Sequence, residues 1–176
     1  MTLYSEASHG VRMNEEHKGP DNALRALATL RKVLTEIGWE PQPEEKVAGF
    51  YVDFGPPHIP VSDAFAAITP ATERFAFYVN FGPSVPQERC DEVVRFITLA
   101  NWGLSIGNFE MDYDDGHVRF KSSIDFRGVE LSEAVIRNTI LAAMNAIEAY
   151  AEPLIEVLAR GKDAKQAIEE ARAKSN

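Results

Sequence analysis

The sequence is poor in the residues that carry most recognisable chemistry. It holds one cysteine, Cys90, in 176 residues. A lone thiol cannot close an internal disulfide, which favours a reducing compartment. Cys90 falls early in a helical stretch, where a thiolate is favoured. A catalytic thiolate also needs a base such as histidine beside it, so Cys90 reads as structural or simply exposed. Positive charge is scarce as well: 18 Lys and Arg stand against 27 Asp and Glu, a formal net charge of −9. Phosphate backbones and anionic membrane surfaces call for clustered Lys and Arg, so neither nucleic acid nor a membrane is expected as a partner. No apolar run approaches the roughly 20 residues of a membrane span. The first residues lack the apolar core of a signal peptide, and the protein is expected in the cytoplasm. Gly-rich phosphate loops, nucleophile elbows, zinc-ligand spacings and internal repeats are absent.

Two clusters look like metal sites at first sight. Asp112, Asp114 and Asp115 crowd together before Gly116. A calcium loop needs oxygens at alternating positions and a carboxylate at its twelfth place. Counting from Asp112 that place is Ser123, and from Glu110 it is Lys121. His9 and His17 with Glu15 and Glu16 fit no standard spacing. A solvated turn and a solvated tail account for them. No metal and no cofactor are expected.

What the chain does contain is a well-patterned globular sequence, 45% hydrophobic, of a size that buries one core. Its centre is the stretch from Asn101 to Phe126. Phe109, Met111 and Tyr113 alternate with Asn108, Glu110 and Asp112. Val118, Phe120, Ile124 and Phe126 alternate with Arg119, Lys121, Ser123 and Asp125. Period-two alternation makes two half-buried strands. Asp115-Gly116 between them suits a tight hairpin, because Gly takes positive φ without steric cost. Pairing should bring Glu110 or Asp112 near Arg119 or Lys121 on the wet face.

Around this hairpin the remaining elements fall in order. Residues 1–19 are polar and aperiodic and read as a mobile arm. A first helix is expected from Asp21, as its cap, to Ile37, with Leu24, Leu27, Leu30 or Arg31, Leu34 and Ile37 at helical spacing. Gly38 stops it in the left-handed conformation and Trp39 folds back on Leu34. Pro41 and Pro43 break the chain. Three strands follow: Phe50, Val52 and Phe54; an Ala-rich, irregular or edge strand over 61–68; and the regular run from Arg74 to Phe81. Ser84-Val85-Pro86-Gln87 reads as a capping box opening a second helix that runs to Trp102 and stops at Gly103. A third helix opens at Ser132, with Leu131 and Ile136 spaced as a hydrophobic staple. It carries Ile136, Ile140, Ala143, Met144, Ile147, Tyr150, Leu154 and Leu158 on one stripe. Pro153 should kink or restart it, and Gly161 ends it. Residues 163–174 form a charged helix whose packing is expected to be loose.

The order α-β-β-β-α-β-β-α plus a C-terminal helix gives an α+β fold: a two-layer domain with an antiparallel five-stranded sheet and helices on one face. Residues 20–161 form a single domain and 162–176 the last helix. Asn101, the Gly107-Asn108-Phe109-Glu110 start, the Asp-Gly turn, the basic return strand and Leu131-Ser132 opening a long helix together resemble the YbjN-like family of bacterial sensory-transduction regulators. The resemblance covers about residues 21–160. It implies the type III secretion chaperone-like fold and no catalytic residues. Those chaperones are small, acidic dimers that bind extended partner segments, though a shared fold does not by itself transfer an activity.

The function expected is therefore a non-enzymatic, cytoplasmic protein-interaction module, chaperone-like or regulatory, with a protein partner and a homodimeric state. The alternative is a small-molecule-binding protein or hydrolase pairing carboxylates with His58 or His117. The second helix is more apolar than one buried face requires: Val93, Phe96, Ile97 and Ala100 make one stripe, while Leu99 and Trp102 project from another side. Leu99, Trp102 and Val94 are the candidate protein interface.

Overall fold

The computed structural model describes residues 19–53, 61–82 and 84–174. The N-terminal arm before Gly19, with His9 and His17, lies outside the described residues, as do Phe54 and His58. Four helices, α1 (Gly19–Glu36), α2 (Cys90–Asn101), α3 (Glu133–Arg160) and α4 (Ala164–Lys174), accompany six strands: β1 (Gln42–Pro43), β2 (Gly49–Val52), β3 (Val61–Thr69), β4 (Arg74–Phe81), β5 (Asn108–Met111) and β6 (Val118–Asp125). All neighbours pair antiparallel in the order β1-β2-β3-β4-β6-β5. The α+β class stands, and the sheet has six strands where five were expected. The extra strand is β1. It was missed because Pro41 and Pro43 read as a break, yet proline is tolerated on a sheet edge, where no partner needs its N–H.

One face of the sheet is apolar and the helices lie on it. Phe75, Phe77, Val79 and Phe81 of β4 are all but fully buried, as are Phe50 and Val52 of β2, Ala64, Ala66 and Ile68 of β3, and Val118 and Phe120 of β6. The registers Phe50↔Ala66, Ala66↔Phe77 and Phe77↔Ser122 lay these side chains in rows across the strands. β3 was expected to be irregular or at an edge, and it is the first of these. It lies inside the sheet, between β2 and β4, with the expected irregularity as a register shift at Val61/Asp63. Its alanines are small because α1 packs against that strand.

The helix ends follow local chemistry, with informative exceptions. Trp39 N–H donates to Leu34 O and Gly38 N–H to Thr35 O, with Gly38 at φ +89°, the expected left-handed cap. Trp39 then stacks on Phe77 with ring centroids 6.0 Å apart. The helix begins at Gly19, so Asp21 sits inside the first turn, where its charge suits the helix dipole. The buried face of α1 is Ala23, Ala26, Leu30, Val33 and Leu34, and Leu24 is exposed. Ala at two of these positions hid the true phase of the stripe. Ser132 caps α3 through Val135 N–H, as expected. α3 passes through Pro153 as one helix to Arg160 and ends at left-handed Gly161, so Pro153 does not restart it. Met144 is exposed, and the stripe widens instead to Thr139, Ala146, Ala151 and Val157. The reason is tertiary: α1, α2, α4, β4 and β6 all touch α3.

The start of α2 departs from the sequence reading. Ser84 caps nothing, and a 3-10 turn, Gln87–Arg89, precedes the helix with Pro86 at its N-cap and no side-chain hydrogen bond. Val85 is used elsewhere: its N–H donates to Gly116 O at 2.9 Å, tying the hairpin tip to the segment that leads into α2. Gly103 is not the left-handed stop either. The positive φ falls at Gly107, where a Cβ would meet the Phe120 ring.

α4 corrects the expectation of loose packing. Ala164, Ala167, Ile168 and Ala171 are at most 3% exposed, against α2 and α3. Glu92 of α2 accepts from Ala164 N–H at 2.6 Å, Arg95 pairs with Asp163 at 3.1 Å, and Arg172 donates to Leu99 O at 3.0 Å. This accounts for much of the surplus apolarity of α2. The helix is covered on two sides, by the core and by α4.

Three variants test these readings. Gly116 has φ +73° and faces the Val85 carbonyl, which a Cβ would strike. Gly116→Val should lower unfolding stability in urea by about 2 kcal/mol or more, whereas Asp115→Ala should cost no more than about 1 kcal/mol. Ile168→Ala should cost about 2–4 kcal/mol in the same measurement. A loosely attached α4 would show almost no change.

Candidate protein interface

The three residues proposed for an interface sit at different depths. Trp102, the C-cap of α2, is 90% exposed, Val94 is 36% exposed, and Leu99 is partly buried against the core. A tryptophan that exposed has no structural task in the fold. At 100° per residue, Trp102 lies between Val94 and Leu99 around the helix axis, about 80° from one and 60° from the other. The site therefore reduces to Trp102 with Val94 beside it and Leu99 beneath, under the Arg172 contact.

Next to Trp102, Asn101 has a structural role. Its Oδ1 accepts from Phe109 N–H at 2.8 Å and its Nδ2 donates to Phe109 O at 3.0 Å. One side-chain amide thus occupies both backbone groups of Phe109 on the outer side of edge strand β5, a place where a further strand would otherwise pair.

The second candidate surface is the outer face of the sheet. The helices pack on the other side: apart from Gly49 and Ala67, the buried residues of β2 to β6 point away from this face. Tyr51, Phe65, Tyr78 and Lys121 lie in one register row across β2, β3, β4 and β6. The Tyr51 and Phe65 rings are 4.7 Å apart, and Tyr51 is 42% exposed. A Cβ at Gly49 would meet the Phe65 ring at 2.8 Å, so glycine leaves room for that ring to lean over the strand. Arg119 lies 4.9 Å over the Tyr78 ring and pairs with Glu110 at 2.7 Å. Lys121 pairs with the same carboxylate at 2.9 Å. The expected cross-strand pairing was thus right for Glu110, which takes both cations, and Asp112 takes neither.

Beyond this pair a cleft of about 360 Å³ is lined by Glu110, Met111, Asp112, Asp115, His117 and Arg119. His117 Nε2 lies 3.2 Å from Asn80 Oδ1, and Asn80 Nδ2 donates to Asp63 at 2.5 Å. His117 is the one alternative-enzyme histidine within the described residues. Among the described residues, none that lines this cleft carries a hydroxyl or a thiol. Cys90 is buried, with its thiol 3.6 Å from Pro86 O. Among the described residues, no group of three or more His, Cys, Asp or Glu is placed to hold a metal ion.

The sequence profile of the YbjN family, described as "Putative bacterial sensory transduction regulator", matches residues 26–156. The chain belongs to the YbjN family. No curated protein matches it. Among solved structures it is similar to YbjN from E. coli, described as a putative transcription regulator, with a TM-score of 0.54, 14% identity, and coverage of 85% of this chain and 92% of that one. It is also similar to a chain of the ExsC-ExsE complex (TM-score 0.55, 14% identity, 75% and 95% covered) and to one of the HopA1-SchA chaperone-effector complex (TM-score 0.53, 13% identity, 75% and 97% covered). The fold is that of YbjN and of the type III secretion chaperones, as the sequence resemblance implied. α4 lies beyond the residues that the family profile matches.

Sequence reading did not single out the outer-face rings. The signal was there as parity: Tyr78 sits at a wet position of a regular strand. Phe65 was hidden in a strand with no clear alternation, and Tyr51 became legible only once pairing set it opposite Phe65.

The ion pairs predict a pH response. Burial raises the Glu110 carboxyl and is the largest single influence, but hydrogen bonds from Lys121, Arg119 and Asn108, with the Arg119 charge, hold it below its ordinary value near 4.5. A carboxyl depressed in the folded state adds stability above that value, and the contribution fades as pH falls through the lower folded value. Wild type minus Glu110→Gln, compared in urea at pH 7 and pH 3, should show a difference that shrinks on acidification. An unchanged difference would remove Glu110 as its source.

Proposed function

We propose that this chain is a non-enzymatic protein-interaction module, chaperone-like or regulatory, working in the cytoplasm, and that it self-associates through the end of α2. The observation that carries the reading is Trp102, 90% exposed at the end of a helix whose other large aromatic, Phe96, is fully buried. Exposed aromatics of this kind anchor protein interfaces. Two further features support it. Two of the similar structures are protein complexes, one of them of a chaperone with its effector. No helix among the described residues is long and apolar enough to cross a membrane. A single domain over residues 20–161, with α4 laid against α2 and α3, presents the site. A two-fold pair built on Trp102 and Val94 follows the commonest symmetry of homo-oligomers, and a stable one buries more than about 1,000 Å².

The alternative, a hydrolase or small-molecule-binding protein, has one observation behind it: His117 beside the carboxylates of the outer-face cleft. Against it, Glu110 is already bound by Arg119 and Lys121.

Light scattering at micromolar concentration should give a dimer mass for wild type and a monomer for a folded Trp102→Asp variant. A monomeric wild type removes the self-association. A dimer indifferent to both Trp102→Asp and Leu99→Asp places the contact elsewhere. Affinity capture from the native cell with mass spectrometry tests the wider reading, which fails if no protein is retained in stoichiometric amount.

A further inference from the structure

We infer that the outer face of the sheet is a docking surface for an extended segment of a partner protein, one carrying apolar side chains flanked by lysine or arginine. This rests on the reading of the chain as a protein-interaction module and adds a surface and a partner chemistry to it.

The shape sets the class of occupant. The row Tyr51, Phe65, Tyr78 and Lys121 crosses four strands, a span of about 14 Å at ordinary strand spacing. It is a ribbon of ring surface on an open sheet rather than an enclosed pocket. An extended chain advances about 3.3 Å per residue, so four or five residues cover it. The face presents side chains and no free backbone, because the ladder bonds lie in the plane of the sheet. Its occupant must therefore be recognised through side chains, and rings ask for apolar ones.

The charge sets the sign. The cations of the face are already matched within it: Arg119 and Lys121 both bind Glu110, and Arg74 pairs with Asp125 at 3.4 Å. Asp63, Asp112 and Asp115 have no cation against them among the described residues. Asp63 accepts from Asn80 and Ser62, Asp112 from Asp114 N–H, and Asp115 from His117 N–H, all neutral donors. Arg119 joins the two parts, since it covers the Tyr78 ring and also lines the cleft beside Asp112 and Asp115. A ligand lying on the rings thus meets unmatched negative charge along one side, at Asp63 in the adjoining register row and at the cleft beyond Arg119. A second copy of this chain, at net charge −9, would bring carboxylates to carboxylates. A basic, apolar segment fits.

The test uses a fluorescein-labelled probe peptide, Lys-Val-Lys-Phe-Lys-Val-Lys, and its counterpart with every lysine replaced by glutamate, read by fluorescence anisotropy against the full chain. The lysine peptide should bind with Kd below about 200 μM at low salt and weaken as salt screens the carboxylates. The glutamate peptide should not bind. Tyr51→Ala, at an exposed ring, and the pair Asp112→Asn with Asp115→Asn, which keep the turn acceptors, should each weaken binding about fivefold or more. Trp102→Asp should leave it unchanged. Absence of binding, equal binding of both peptides, or indifference to the face variants overturns the inference. So does a dimer mass lost in Tyr51→Ala, which assigns the face to a second copy, or a tenfold gain on removing residues 1–18, which assigns it to the chain's own segment. Each of these outcomes leaves capture of a partner and the effect of Trp102→Asp to be read separately, so the docking surface can fail while the wider reading stands.

Discussion

Phe109 is the contact on which the helical layer and the sheet depend together. Its ring lies 5.1 Å from Phe120 and 6.1 Å from Phe81 within the sheet, and 6.1 Å from Tyr150 of α3. Tyr150 in turn meets Phe96 of α2 edge-to-face at 6.4 Å. Edge-on aromatic pairs add roughly 0.5–1.5 kcal/mol each beyond the area they bury. The backbone of the same residue is held by the Asn101 amide. One residue on an edge strand therefore fixes that edge against α2 and the core against α3. The close approach at Gly107, where only glycine clears the Phe120 ring, is what lets the chain turn from α2 into this position.

A one-sided sheet has a consequence. Every helix is spent on the inner face, and the outer face keeps the wet parity of each strand. Most of that parity is polar or charged, as an open antiparallel sheet requires. Besides small residues at 49, 67 and 76, the exceptions are the rings of Tyr51, Phe65 and Tyr78, which fall in a single row. Residues that only needed to face water would not have to be aromatic. The edges are treated differently: one is short and proline-bearing, and the other is closed at Phe109 by Asn101. Such edges disfavour strand addition and leave faces and helix ends as the open surfaces.

α4 shows how a helix late in the chain changes the reading of an earlier one. α2 carries more apolar surface than the core covers, which by sequence alone argues for an intermolecular partner. Much of that surface is met within the chain, by four small residues of α4 that are individually weak and collectively buried. What α4 leaves uncovered is the end of the helix at Trp102 and the flank at Val94. The interface argument narrows accordingly from a helix face to an anchor residue.

The sequence by itself determined the elements whose signals are local: the Gly38 cap, the Ser132 cap, the alternation of β4 and β6, the left-handed glycine at 116 and the family. Each rests on backbone conformation or periodicity within a few residues, and those are written directly in residue order. Only the tertiary structure decided that β3 is internal, that a proline-bearing pair forms a sixth strand, that Leu24 is outside and Ala23 and Ala26 inside, that α4 packs, and that three rings align. These depend on which elements become neighbours. An alanine is buried or exposed according to what lies against it, and a ring joins a row only when strand register sets its partners, so no reading of one segment at a time contains the answer.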